Sequence, residues 1–393
     1  MLVKPLRAQA IALYRDAFGN APDAAASAPG CVDLIGGHTE YNGGPVLPIA
    51  TRERTVVTVG RAEQGVIEGV SSAGGRRERV DLREGRPAGW LAGVAGVLRE
   101  LAVLGAVTHG ARVAVASDIP DDGGLASPAA LAIATAKALV ALNRLPLTAR
   151  KVAGVAFRAG AEPGHNDGRA RHGIMEHTSA ALAHAGQALL IECASAETRR
   201  VPFGGRILLV ETGAPPVALD ARLAERRAEC EAAVLRLRID LPELVWLASW
   251  PAAWLPRLKK ALARPLRSRA VHVVSETART RFAAELLAKG RVKRFGALLY
   301  ESHESCRRLF EFSTPQADLV VSAAQRAGAL GARLAGDGAT GVVVVLLVRG
   351  DGGRGKGESK VTEAIQRAYS KAYGREVAIK PVQPGDGARV EPH

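Results

Sequence analysis

The stretch APGCVDLIGGHTEYNGGPVLP, residues 28–48, decides the fold of this chain. It begins as an apolar strand and runs into a loop punctuated by glycines, where the backbone can pass close to a ligand. His38 and Glu40 stand two residues apart in this loop. Together they could hold a polyhydroxylated ligand, although a single histidine is more often a structural hydrogen-bonding group. The loop by itself leaves both interpretations open.

A second informative stretch is SDIPDDGGLASPAAL, residues 117–131. It has the form of a strand end, a Gly-rich turn and a helix start. The free N–H groups and the dipole of such a helix start favour an anion. Gly-rich turns before helices are common, so this pattern alone does not identify the anion.

A third stretch, GARLAGDGATGVVVV at residues 331–345, is another Gly-rich turn that leads into an apolar run. The run 342–348 is too short to cross a bilayer and predicts a buried strand. Two shorter polar segments, RHGIMEH at 171–177 and ERRAECE at 225–231, lie between these stretches.

The composition limits the class of protein. The 393 residues allow two domains, and 47% hydrophobic residues allow a substantial core. The net charge of +14 comes from scattered arginines without interleaved aromatic residues, which disfavours nucleic-acid binding. The four cysteines are far apart and form no CxxC pair, which argues against a zinc site or a disulfide framework. The first 20 residues lack a signal peptide's apolar core. We therefore expect a cytoplasmic protein without a membrane segment.

The chain predicts mixed strands and helices without strict alternation, which favours an α+β fold. Predicted strands are 55–59, 111–116, 188–192, 206–211 and 341–348. Predicted helices are 1–20, 90–104, 129–142, 223–237, 268–288, 295–309 and 315–327. A domain boundary is expected near 194–205, and 349–360 is expected to be a mobile loop, more plausibly a surface hairpin or linker than a nucleotide clamp.

The quoted stretches resemble, in order, the motifs of the galactokinases, which are GHMP kinases. Residues 28–48 resemble the signature G-R-V-N-L-I-G-E-H-T-D-Y-N-G-G, and 117–131 resemble the ATP-binding motif P-x-G-x-G-L-S-S-S-A-A. Residues 331–345 resemble G-A-R-M-T-G-G-G-F-G-G-C. The resemblance implies a two-domain GHMP kinase fold, with the active site in the cleft between domains 1–200 and 201–393. The last strand is expected to return to the N-terminal domain.

The resemblance also implies the cofactors ATP and Mg²⁺ and a sugar or sugar-like acceptor. Glu176 corresponds to the catalytic base. Metal binding falls to Ser127 and, after a two-residue insertion, to Glu162. The acceptor site corresponds to Gly37, His38, Glu40 and Leu223. The phosphate loop corresponds to Asp122, Gly123, Gly124, Leu125, Ala126, Ser127 and Pro128.

Several of these positions depart from the family motifs. Cys31 replaces an Arg near the transferred phosphate, and a neutral thiol supplies no cation for phosphoryl oxygens. Gly37 replaces a sugar-binding Glu, Glu40 replaces an Asp, and Leu223 replaces a Tyr that contacts sugar. Each lost partner matters, because a buried sugar hydroxyl needs one.

The base and the phosphate loop also depart from the motifs. Glu176 replaces an Asp, and its extra methylene moves the carboxylate by about 1 Å. Asp122, beside Asp121, replaces a Gly and brings negative charge near a triphosphate. Pro128 removes an N–H and the hydroxyl that meets Mg²⁺ in the family.

Two hypotheses follow. The first is a kinase that transfers the γ-phosphate of ATP to a hydroxyl, by resemblance the anomeric hydroxyl of galactose. The second is a catalytically impaired pseudo-kinase that binds a sugar or nucleotide as a sensor or regulator and reports to a protein partner. Neither hypothesis involves nucleic acid or a membrane.

Overall fold

The computed structural model describes residues 5–74, 76–85, 87–107, 109–120, 125–161, 173–213, 216–336, 338, 340–348 and 356–392. The chain divides into two compact units. Unit 1 comprises 1–31, 50–185 and 385–393, and unit 2 comprises 32–49 and 186–384. These units divide the chain differently from the predicted domains 1–200 and 201–393, because 32–49 and 186–200 lie in unit 2 and the last nine residues in unit 1.

The α-helices among these residues are α1 Leu6–Phe18, α2 Trp90–Val103, α3 Ser127–Leu142, α4 Ala149–Ala161, α5 Ile174–Leu182, α6 Pro216–Leu237, α7 Leu255–Ala261, α8 Leu266–Ala288, α9 Val292–Ser305, α10 Pro315–Ala327 and α11 Lys356–Tyr373. The strands are β1 Ala24–Asp33, β2 Pro45–Val46, β3 Pro48–Ala62, β4 Val66–Ser71, β5 Glu78–Asp81, β6 Gly110–Ser117, β7 Gln187–Glu192, β8 Glu197–Pro202, β9 Arg206–Glu211, β10 Gly331–Leu334, β11 Val342–Leu347, β12 Ala378–Val382 and β13 Arg389–Val390.

Unit 1 is built on a mixed sheet with the strand order β13-β1-β3-β6-β4-β5. β4 runs parallel to β6, and the other pairs that the structure gives in full are antiparallel. Helix α4 packs against α2, α3 and α5. The fully buried row Ala130, Ala134 and Ala138 repeats every four residues on α3, so a small-residue face lets its neighbours approach closely.

The C-terminal end of the chain belongs to unit 1. β13 pairs with β1 through Ala26 and Val390. Arg54 on β3 donates to Ser27 Oγ at 2.9 Å and to the carbonyl oxygen of Gly387 at 2.9 Å, so one guanidinium joins β3 and β1 to the segment that precedes β13. Ser27 also donates to Glu391 at 2.5 Å. Residues 387–391 therefore hold β1 and β3 of the unit 1 sheet through hydrogen bonds.

Unit 2 contains two antiparallel sheets, with the strand orders β10-β11-β9-β12 and β2-β7-β8. β11 is buried along its whole length between β9 and β10, as a run of Val and Leu favours. A Cβ on Gly331 would lie 2.2 Å from the carbonyl oxygen of Gly296, so β10 and α9 pack backbone to backbone. Helix α8 packs against α6, α7 and α9.

The α+β fold class is confirmed, and each predicted strand and helix exists near its expected position. Two expectations need correction. Residues 356–360 are the first turn of α11, not a loop, because a long amphipathic pattern follows them; 349–355 lie outside the described residues. Helix 295–309 begins earlier and ends as an α-helix at Ser305, where a π-helical turn, Cys306–Phe310, takes over.

The segment 194–205, expected to hold a domain boundary, contains β8, which pairs with β7 inside unit 2. No helix in the described ranges is long and apolar enough to cross a membrane.

Candidate active site

Unit 1 brings the start of the first quoted stretch to the phosphate-loop stretch. The amide of Cys31 on β1 donates to the carbonyl oxygen of Leu125 at 3.1 Å. A Cβ on the neighbouring Gly30 would lie 2.7 Å from that oxygen, so the close approach requires glycine. Cys31 is buried, at 2% exposure. Cys31, at the position where the family carries Arg, is therefore hydrogen-bonded to Leu125, two residues before α3.

The start of α3 has the features of an anion site. Ala126, the N-cap, has a left-handed backbone with φ 57°, an unusual conformation for a residue with a Cβ. It supplies no side-chain cap, and Pro128 lies in the first turn. Ser127 is half-buried and offers a hydroxyl of the kind that Mg²⁺ accepts. The start of α3 can therefore hold phosphate, with one donor fewer because of Pro128.

The remaining predicted phosphate and metal residues, Asp122, Gly123, Gly124 and Glu162, lie outside the described residues. Among the described ones, no group of three or more His, Cys, Asp or Glu side chains is arranged to hold a metal ion. Arg169 and Arg171, which could replace the missing family cation, also lie outside the description.

Glu176 lies in the first turn of α5 and is half-buried. The first turn of a helix has unpaired backbone N–H groups, which interact favourably with a carboxylate. The next residue, His177, is buried and bonds the carbonyl oxygen of Gly173 through Nδ1 at 3.0 Å. This bond holds His177, the residue after Glu176, against Gly173, the N-cap of α5.

His38 is the centre of the site in unit 2. Its backbone is left-handed, with φ 63°, and its ring is 3% exposed. The ring stacks on Phe310, with centroids 4.1 Å apart, and Nδ1 lies 2.9 Å from Tyr41 Oη. Nε2 is buried without a hydrogen-bond partner in the part of the chain that the structure describes. Burial, followed by nearby positive groups, holds the pKa of His38 well below its usual value, so the ring is neutral.

Helix α8 fixes the turn that carries His38. His272 lies 3.1 Å, through Nε2, from the carbonyl oxygen of Gly37 and 2.8 Å, through Nδ1, from Ser305 Oγ. Since a carbonyl only accepts, Nε2 carries the proton. One turn later on α8, Glu276 accepts from the amide of Gly36 at 3.3 Å and from Ser302 Oγ at 2.5 Å. Both side chains are fully buried, and their hydrogen bonds to Gly36 and Gly37 hold the backbone of the turn in place.

The space beside Gly37 is filled by Arg333 of β10. A Cβ on Gly37 would lie 2.4 Å from Arg333 Nη2. Arg333 is 1% exposed, and its Nη1 lies 3.2 Å from Asp33 Oδ2 in a buried ion pair. Burial raises the pKa of Asp33 to about 6, against the lowering effect of Arg333. Where the family signature has Glu, this chain has a guanidinium.

The other predicted acceptor residues lie around this centre or on α6. Glu40 begins a 3₁₀ turn, Glu40–Asn42, and is half-buried. Leu223 is buried on α6 at 2% exposure. One turn after it, the Arg227 guanidinium lies over the Tyr41 ring, 4.7 Å from its centroid. Tyr41 thus contacts both His38 and Arg227, and Arg227 follows Leu223 by four residues on α6.

Sequence reasoning missed the supporting residues of this site. Asp33 and Arg333 stand inside two of the quoted stretches but were not singled out. His272 and Glu276 stand four residues apart on α8, where two polar residues on a buried face were an available signal. Phe310 gave no signal, because its position depends on the π-helical turn.

Family models match three parts of the chain. The "Galactokinase galactose-binding signature" matches residues 12–61, "GHMP kinases N terminal domain" matches 91–184 and "GHMP kinases C terminal" matches 283–374. The structure of Lactococcus lactis galactokinase complexed with galactose is similar, with a TM-score of 0.88 at 24% identity, over 97% of this chain and 99% of that one. Methanococcus jannaschii mevalonate kinase is more distant, with a TM-score of 0.57 at 18% identity, over 92% of this chain and 98% of that one. These matches show that this chain has the fold of the GHMP kinases.

Curated relatives are closer in sequence. The galactokinase of Streptomyces coelicolor is 34% identical over 393 residues, 96% of each chain. The galactokinase of Roseiflexus sp. is 34% identical over 380 residues, 95% of this chain and 94% of that one. The chain therefore belongs to the galactokinase family of GHMP kinases. None of these findings supports the alternative of a pseudo-kinase.

Proposed function

We propose that the chain is an ATP-dependent sugar kinase that phosphorylates the anomeric hydroxyl of galactose or a closely related sugar. The observation that carries this proposal is the preserved signature turn in unit 2. His38 is held with Nε2 unpartnered in the described structure and is fixed from behind by His272 and Glu276. A buried polar atom without a partner is costly unless a ligand or water satisfies it. The family relationship supports a sugar as that ligand.

The phosphoryl donor in this proposal is ATP, the donor that the family implies. The N–H groups at the start of α3 would bind its phosphates, with Asp122, Gly123, Gly124 and Leu125 preceding them along the loop. Ser127 and Glu162 would hold Mg²⁺, which supplies charge neutralisation on the phosphates when bound. Cys31 places no positive charge at the family's Arg position, so the phosphoryl oxygens are stabilised less than in a relative with Arg.

The acceptor hydroxyl in this proposal gives its proton to Glu176. Glu176 is held in the first turn of α5, and a carboxylate is a suitable general base for a hydroxyl. His38 and Glu40 hold the sugar, and Gly37 leaves room for Arg333. Leu223, at the position of the family's sugar-contacting Tyr, is buried and gives the sugar no hydroxyl partner. A protein partner is not part of the proposal.

The direct test is an ADP-release assay with Mg-ATP and a panel of galactose, other hexoses, pentoses and cyclitols. We expect turnover with galactose or a close relative, and a loss of about 100-fold or more in kcat in Glu176→Gln. Glu84→Gln, which changes an exposed carboxylate of the same unit, is the control and should keep full turnover. Absence of turnover with every acceptor, together with no rise in melting temperature on adding Mg-ATP, would contradict the proposal.

A second test addresses the metal. Ser127→Ala should raise the Mg²⁺ concentration needed for half-maximal activity, and it should weaken the Mg²⁺ dependence of ATP binding measured by calorimetry without sugar. Equal Mg²⁺ dependence in the wild type and Ser127→Ala would remove Ser127 from the metal site.

A further inference from the structure

Two departures from the signature change the distribution of charge in the predicted acceptor site of unit 2. The signature has Asn and Glu at the positions of Asp33 and Gly37, and this chain has a carboxylate at the first and no side chain at the second. Arg333 stands between them, with Nη1 3.2 Å from Asp33 Oδ2 and Nη2 in the space of a residue-37 side chain. In this chain the carboxylate therefore stands at residue 33, whereas the signature has one at residue 37.

The exchange changes the hydrogen-bonding character of the space at residue 37. A Glu there would accept a hydrogen bond from a sugar hydroxyl, whereas a guanidinium only donates. Arg333 donates through Nη1 to Asp33 Oδ2 and through Nη2 to the carbonyl oxygen of Gly336, at 3.4 Å. Nε of Arg333 is buried and has no partner within the described ranges. A donor in this position is satisfied by an acceptor that a ligand brings.

Further donors lie around the same centre. His38 Nε2 carries the proton when Tyr41 Oη donates to Nδ1, and it too lacks a partner among the described residues. Arg227 lies over Tyr41, its Nε is buried and unpartnered, and no carboxylate of the described chain lies within 4 Å of its guanidinium. These donors suit an acidic group better than a hydroxyl, because each hydroxyl also needs an acceptor for its own proton.

We infer that Arg333, held by Asp33, replaces the family's Glu as the specificity-determining residue and makes this kinase favour a sugar that carries a carboxylate, a hexuronic acid. The inference rests on the proposed function, since it names the substrate class of the same site. The carboxylate of the sugar accepts from Arg333 and from His38, while the anomeric hydroxyl remains the group that is phosphorylated. Galactose fits the same space but leaves the donors less well satisfied.

The test compares galactose with galacturonate in the full chain with Mg-ATP at pH 8. We expect a higher kcat/KM for galacturonate. The double variant Asp33→Asn/Gly37→Glu, which restores the signature at both positions, should lower the galacturonate-to-galactose ratio of kcat/KM by about 10- to 100-fold. The methyl ester of galacturonate has similar bulk without the charge and should behave as galactose does.

Titration calorimetry without nucleotide separates this inference from the proposed function. Tighter binding of galacturonate than of galactose supports the inference whether or not phosphate is transferred. Turnover of galactose with at least 10-fold lower efficiency for galacturonate would overturn the inference and leave the kinase proposal standing. The comparison of the two sugars in the wild-type chain needs no variant, so a folding defect of the double variant cannot decide the result.

Discussion

Glu276 on α8 is expected to stabilise unit 2 far more than another glutamate of the same helix. Its carboxylate is fully buried and serves the amide of Gly36, the hydroxyl of Ser302 and the guanidinium of Arg279. Glu276→Ala leaves the amide of Gly36 and the hydroxyl of Ser302 without this acceptor, and it removes the nearer of the two carboxylates beside Arg279. Because removing one partner of a buried pair costs about 3–5 kcal/mol, we expect a loss of that size in the free energy of unfolding. For a unit of about 200 residues this corresponds to roughly 6–20 °C in melting temperature.

The control for this prediction is Glu285→Ala. Glu285 is also on α8 and pairs with Arg199 at 3.1 Å, but the two side chains are 52% and 48% exposed. Its removal should cost less than about 1 kcal/mol. The assay is urea unfolding of both variants and the wild type, followed by tryptophan fluorescence. Costs for the two variants that agree within about 1 kcal/mol would refute the reasoning. Under the proposed function, Glu276→Ala should also raise KM for the sugar more than it lowers kcat.

Further predictions concern the same site. Gly37→Ala should lower the free energy of unfolding by about 1–3 kcal/mol, because the new Cβ displaces the buried guanidinium of Arg333. Gly357→Ala, in helix α11 with open space around its Cβ, should not lower it in the same urea titration. Burial lowers the pKa of His272 to about 4, so the unfolded chain binds more protons than the folded one between pH 6.5 and 4. The free energy of unfolding therefore decreases as the pH is lowered through that window. His272→Gln should flatten this fall by up to about 1.4 kcal/mol per pH unit, and an unchanged slope would exclude His272 as its source. Cys31→Arg should raise kcat about 10-fold or more in the ADP-release assay by adding a cation near the transferred phosphate; equal or lower kcat in a folded variant would exclude this position as the limiting one.

The fold was predictable where local chemistry is decisive. Helix α10 begins at Pro315 because Thr314 accepts from the amide of Ala317, and it ends before the left-handed Gly328. Both signals are visible in the sequence, and the predicted bounds 315–327 agree with the structure. The run of Val and Leu in β11 likewise indicates a strand that is buried on both faces.

The supporting groups of the candidate site were less predictable, because they depend on contacts between distant parts of the chain. Asp33 and Arg333 are 300 residues apart, and neither has an unusual neighbour in the sequence. The departure at Gly37 is visible from the sequence as a lost carboxylate, but only the position of the guanidinium shows what occupies its space. The motifs therefore identify where the site is, while its charge depends on packing.

The return of the last strand to unit 1 has a consequence for how the protein is made. β1 is synthesised among the first 35 residues, but its partner β13 contains Arg389 and Val390. On a ribosome, nearly the whole of unit 2 is translated before Gly387 and Glu391 emerge to meet Arg54 and Ser27. The first unit to begin is thus the last to be completed, and its open sheet edge must await the C-terminus while unit 2 can already fold.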